Sequence, residues 1–120
     1  MIISTPKMSH AGEATQAMVE TLDIFPTLCE LAKLETPANL DGVSLLPLLR
    51  NPLGKGHAAI GYAGRAKTIR SDTHRLILHN DGFAELYDHT SAEDETHNVA
   101  EAYPEIVSVL TKELQRRLGR

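Results

Sequence analysis

The sequence holds a single cysteine, Cys29, in 120 residues, so no disulfide can form within the chain. Cys29 lies in the apolar run "IFPTLCELAKL", which marks it as a small buried hydrophobe, since a reactive thiol needs an electropositive, partly exposed setting. There is no block of lysine or arginine. Twelve basic against sixteen acidic residues leave a formal net charge of −4, which argues against nucleic acid or an anionic membrane as a partner. No apolar run reaches the length of a membrane span, and no cationic-plus-apolar leader is present. Also missing are G-x-S-x-G, a glycine-rich phosphate loop, C-x-x-C and H-E-x-x-H, so the short signatures of several enzyme classes are excluded. What remains is about one domain's worth of chain, 42% hydrophobic, either a compact unit or a piece of a larger one.

Periodicity divides that chain near residues 51–57. Before this point, "MIIS" reads as the end of a buried strand. "VETLDIFPTLCELAKL" then spaces Val19, Leu22, Phe25, Leu28, Cys29 and Ala32 by threes and fours, as on one face of a helix. Asp23 is its predicted cap, and Pro26 falls at the third helical position, where no intrahelical N–H bond is lost. "LDGVSLLPLLRNP" predicts an Asp41-Gly42 turn, a Ser44 cap and one or two helical turns stopped by Pro52. Beyond "NPLGKGH", the runs "AAIGYAG", "AKTIRS", "HRLILH" and "AELYD" read as strands, with an Asn80-Asp81-Gly82 hairpin turn between the last two. Pro104 opens a final helix with Ile106, Val107, Leu110, Leu114 and Leu118 on one stripe; Glu105 in the first turn and Arg116 and Arg117 in the last suit its dipole. The predicted class is α+β: an antiparallel sheet of three to four strands covered by a C-terminal helix, preceded by a strand-helix-helix piece.

Three clusters carry polar chemistry. In "ELYDHTSAEDETHNVA", His89 and His97 stand eight apart beside Asp88, Asp94 and Glu95, a spacing that fits neither a helical metal pair nor a calcium loop, so a solvated turn is expected there. Ser71, Asp72 and His74 are too close in sequence for the geometry of a hydrolytic triad, and a turn is again expected. "GRAKTIR" brings Arg65, Lys67 and Arg70 together; on a strand, Arg65 and Lys67 would share a face and approach an anion jointly, or simply line a solvated face.

The order of "VETLDIFPTLCELAKLETPANLDGVSLLPLL", "TIRSDTHRLI", "ELYDHTSAEDETHNVA" and a terminal helix resembles the C-terminal part of a sulfatase of the arylsulfatase and iduronate-2-sulfatase type, in the alkaline-phosphatase-like superfamily. Asp23, Pro26, Thr27, Asp41-Gly42-x-Ser44-Leu45, Arg70, Arg75, Glu85-Leu86-Tyr87-Asp88, Glu95 and Asn98 carry the likeness. Ala92-Glu93, where the family commonly has Asp-Pro, and Lys33, where it often has glycine, depart from it. The resemblance implies that residues 1–50 are the edge of the large sulfatase α/β domain and 57–120 the C-terminal subdomain. It implies a parent enzyme that hydrolyses aryl, sugar or glycosaminoglycan sulfates, using calcium and a formylglycine made within a C/S-x-P-x-R motif. That motif is absent: Cys29 is followed by "ELAK". No catalytic or metal residue therefore carries over, no cofactor is expected in this chain, and Arg65 and Lys67 are the candidates for the substrate rim. The implied partners are an N-terminal catalytic domain and a sulfated small molecule or glycan, with self-association of the apolar N-terminal piece. Intact relatives are often periplasmic, secreted or lysosomal. The alternatives are an independently folding module for anionic glycans or proteins, and a segment of a related phosphate-ester hydrolase.

Overall fold

A computed structural model describes residues 1–93 and 95–119, so Asp94 of the acidic turn lies outside the described residues. The chain separates into two compact units, Met1–His57 and Ala58–Arg120.

In the first unit, Glu20 and Asp23 close a reciprocal capping box around a 3-10 turn, Thr21–Asp23, which leads directly into helix α1, Ile24–Leu31. Asp23 occupies the N-cap position of α1, yet its carboxylate does not cap that helix; it caps the preceding turn instead, accepting the Glu20 N–H at 2.7 Å. Pro26 is the third helical residue, as expected. A second short helix, α2, covers Leu46–Arg50; Ser44 Oγ accepts the Leu46 N–H at 3.2 Å ahead of it. Two glycines permit backbone approaches that no other residue allows. A Cβ at Gly42 would lie 2.1 Å from the Leu22 carbonyl oxygen, and one at Gly56 would lie 2.0 Å from that of Met18.

Two expectations for this unit change. Met1–Ser4 forms no strand, and Ile2 is 96% exposed, because an isolated extended segment has no ladder partner among the described residues. The inward side of α1 is not the apolar stripe: Leu22, Phe25 and Leu28 are about half exposed, whereas Pro26, Thr27 and Cys29 are buried. Thr27 decides the matter, since its hydroxyl donates to the Asp23 carbonyl at 2.6 Å and accepts the Leu45 N–H at 2.7 Å. Those bonds turn the Thr27 side toward the 43–45 segment.

The second unit is a four-stranded antiparallel meander in the order β1 (Ala59–Ala63), β2 (Ala66–Arg70), β3 (His74–His79), β4 (Ala84–Asp88), followed by helix α3, Pro104–Leu118. The hairpin between β3 and β4 turns at Gly82, whose φ of +90° suits only glycine well. Ile69, Leu76 and Leu86 stand in register across three strands, and all are fully buried. Leu110 and Leu114 of α3 cover them, with Ile106, Val107 and Leu118 packed around the rim. Arg117 anchors the end of the helix by donating to the Ala58 carbonyl. Asn98 secures the chain between β4 and α3: its Oδ1 accepts the Leu86 and Ala100 N–H groups at 2.9 and 3.0 Å, and its Nδ2 donates to the Ala84 carbonyl. No helix among the described residues is long and apolar enough to cross a membrane.

Candidate functional site

Strand alternation gives the sheet a second face, opposite Ile69, Leu76 and Leu86, that α3 does not cover. Arg70, Arg75 and Tyr87 lie side by side on it, and Thr68, Ile77 and Glu85 form the next row. Most of its charges are paired. Arg75 Nε lies 3.1 Å from Glu95 Oε1, and Nη1 donates to Glu95 Oε2 at 3.2 Å; the same carboxylate meets His89 Nε2 at 2.9 Å. Glu85 takes His79 Nε2 at 2.6 Å and also accepts the Tyr87 hydroxyl. Arg70 differs: its side chain is partly buried, and Nη1 is closed to solvent and meets no hydrogen-bond acceptor among the described residues.

The Tyr87 and His79 hydrogen bonds hold Glu85 below the ordinary carboxyl range, while the Glu85 bond, followed by burial, pushes Tyr87 from 10.0 up to about 12. For Glu85 the depressed folded value contributes stability above its unfolded pKa, lost as pH falls through the folded one. For Tyr87 the sign reverses: stability is present below the unfolded value and lost as pH rises through the folded value. Phenolate absorbance should therefore resolve one of the three tyrosines ionising near pH 12, and Glu85→Gln should move that step back toward 10. An unshifted step in both proteins would contradict the Glu85–Tyr87 bond.

The sequence's cationic cluster does not stay together. β2 begins at Ala66, so Arg65 lies in the β1–β2 turn, where its carbonyl accepts the Asn80 N–H at 3.2 Å. Lys67 projects to the α3 side of the sheet, bordering a shallow depression with Leu114 and Leu118, whereas Arg70 lies on the open face. The shared strand face expected for Arg65 and Lys67 is thus absent, because Gly64, at φ +58°, places Arg65 in the turn. Ser71 is committed to a turn, its hydroxyl exchanging hydrogen bonds with the His74 backbone. The His89 ring is held by Glu95.

A second polar cluster was hidden in the sequence. Asp23, fully buried, accepts the Val43 N–H at 2.8 Å through Oδ1 and meets His57 Nε2 at 2.9 Å through Oδ2; His57 Nδ1 lies 3.5 Å from Glu20. Asp23 and His57 are 34 residues apart, and no local spacing announces their meeting. Three such groups can approach a metal. Calcium, however, takes six to eight oxygens, and both Asp23 oxygens are already occupied by N–H donors. The donor set does not fit calcium; it fits a buried hydrogen-bonded cluster that ties separate stretches of backbone together. Cys29 fits formylglycine no better, being buried in α1 with no Pro-x-Arg after it.

The family model described as "N-sulphoglucosamine sulphohydrolase, C-terminal" matches residues 1–119. Arylsulfatase K of Gallus gallus is 34% identical over 123 residues, covering 86% of this chain and 22% of its own length. A protein solved with its substrate D-glucosamine-2-N,6-O-disulfate aligns over 79% of this chain and 23% of its own, with TM-score 0.65 and 28% identity. A 2-O GAG sulfatase aligns over 81% and 25%, with TM-score 0.63 and 27% identity. The chain thus spans about a quarter or less of the length of these relatives.

Proposed function

Because this chain belongs to the N-sulphoglucosamine sulphohydrolase C-terminal family, we propose that it is the non-catalytic C-terminal segment of a sulfatase whose intact form hydrolyses sulfate esters of sugars or aryl groups. The observation that carries the reading is the match over residues 1–119 by a family defined on the C-terminal part of such an enzyme. The chemistry of the residues supports it. A sulfatase needs a nucleophile and a cation to stabilise charge developing on sulfate. Neither the buried Cys29 nor the occupied Asp23 cluster offers either, so formylglycine and calcium belong to the catalytic portion.

The first unit also carries the mark of an interrupted surface. Leu22, Phe25, Leu28 and Val43 are each half exposed or more, and Met1 and Ile2 are largely open. Such a concentration of apolar surface is the kind that a partner covers, and the N-terminal catalytic domain is the partner we assign to it; self-association is the outcome when that domain is missing. The two units correspond on this reading to the edge of the large α/β domain and the small C-terminal subdomain. Arg65 and Lys67 remain the rim candidates for an anionic substrate, now as two separate cations rather than a joint pair. In the protein extended upstream through a C/S-x-P-x-R motif, Arg65→Ala or Lys67→Ala should raise KM severalfold for a polysulfated sugar with kcat nearly unchanged. Wild-type KM in both variants would remove them from the rim.

A further inference from the structure

We propose that the depression between the sheet and the end of α3 is a subsite for a sulfated sugar, in which Lys67 holds the sulfate and Tyr62 supports the ring. The depression has a volume of about 480 Å³, room enough for a sugar ring. Leu78, Leu114 and Leu118 supply its apolar lining, and Lys67, Asn80 and Gln115 its available polar side chains, the His79 ring being spent on Glu85. Those three are exposed, and none of their side chains has a hydrogen bond or ion pair among the described residues. Tyr62 adjoins them. It stands opposite Lys67 in the β1–β2 register, so both side chains rise on the α3 side of the sheet. At 70% exposed, its ring is more open than those of Phe83, Phe25 and Tyr103, and its hydroxyl has no partner among the described residues. A ligand that answers this set carries an anion for the ammonium, hydroxyls for two amides and an apolar face for the ring and the leucines. A sulfated sugar has all three: its sulfate oxygens accept from Lys67, its hydroxyls exchange hydrogen bonds with Asn80 and Gln115, and its C–H face packs on Tyr62. A second cation lies at the same end of the sheet, because the Arg65 carbonyl accepts the Asn80 N–H at 3.2 Å and so joins the β1–β2 turn to the β3–β4 turn.

The choice of a sulfated sugar rests on the sulfatase reading and gives the rim role of Lys67 its ligand; the site itself rests on the cavity and the side chains around it. The test is titration of the 120-residue protein with glucosamine N-sulfate, N-acetylglucosamine and sodium sulfate at ionic strength matched with sodium chloride, followed by amide chemical shifts. Saturable binding of the N-sulfated sugar is expected, with shifts centred on Lys67, Leu78 and Gln115, and weaker binding of the other two probes, each of which offers only part of what the site reads. Tyr62→Ala and Lys67→Gln should each weaken the sulfated sugar about threefold or more, and Tyr62→Phe, which keeps the ring, should bind nearly as the wild type does. A native-like spectrum establishes that each variant is folded. No saturable binding, undiminished binding in both Tyr62→Ala and Lys67→Gln, or free sulfate binding as tightly as the sulfated sugar would overturn the proposal. So would binding that disappears in the protein extended upstream, which would make the depression a packing surface for the catalytic portion. Binding is read without turnover, so its failure is distinct from a failure of the extended protein to hydrolyse sulfate esters.

Discussion

Asp23→Ala is expected to destabilise the Met1–His57 unit by about 3–5 kcal/mol, a large effect that follows from leaving several buried hydrogen-bonding groups unmet at once. One carboxylate ties three places together there: the start of the 3-10 turn at Glu20, the 42–43 turn at Val43, and the end of the unit at His57. Alanine leaves two backbone N–H groups and an imidazole facing a void, and each unmet buried donor costs about 1–3 kcal/mol. Asp23→Asn retains one acceptor oxygen and turns an NH2 toward a donor, so its loss should be smaller but still large. With total stabilities of about 5–15 kcal/mol, the alanine variant removes a substantial fraction of the whole. Amide exchange at Glu20, Val43 and Leu45 should accelerate first, and chemical denaturation should give the magnitude. A loss below about 1 kcal/mol would show that Asp23 does not organise the unit.

Leu76→Ala should cost the Ala58–Arg120 unit about 2–5 kcal/mol, the span seen when a fully buried leucine is truncated and the site relaxes only in part. Leu76 sits in the middle of the sheet, between Ile69 and Leu86 in register, on the face that Leu110 and Leu114 cover. Neighbours on β2, β4 and α3 each have a partner of their own to hold, so little of the cavity can close. Leu78→Ala, at the partly buried edge of the same cluster, should cost less. The denaturation midpoint should fall with an unchanged slope. Equal costs at both positions would contradict a core centred on Leu76.

The second unit was largely legible because its signals are local. "HRLILH" and "AELYD" alternate with the period of a strand, Asn80-Asp81-Gly82 supplies the turn, and Ile106 to Leu118 repeat at helical spacing. The first unit was less so. Its apolar helix stripe was visible, but which side of α1 turns inward depends on Thr27 bonding to Leu45, 18 residues away. The strand expected at Met1–Ser4 needs neighbours that the described residues do not supply. The Asp23–His57 contact and the isolation of Arg70 follow from tertiary register, and neither leaves a trace in spacing. Arg65 and Lys67 looked like a pair because strand alternation was extended back to Arg65, the residue ahead of the "AKTIRS" run, which lies in the β1–β2 turn. The family likeness reached further than periodicity: it selected Asn98, which proves to clip β4 to the chain entering α3.

The most direct test of the central claim is hydrolysis of a chromogenic aryl sulfate by this 120-residue protein beside a version extended upstream through a C/S-x-P-x-R motif, both in calcium. The account predicts turnover by the extended protein alone. Turnover by the 120-residue chain would contradict it, because the sulfate chemistry would then have to arise from residues assigned here to packing and ion pairing.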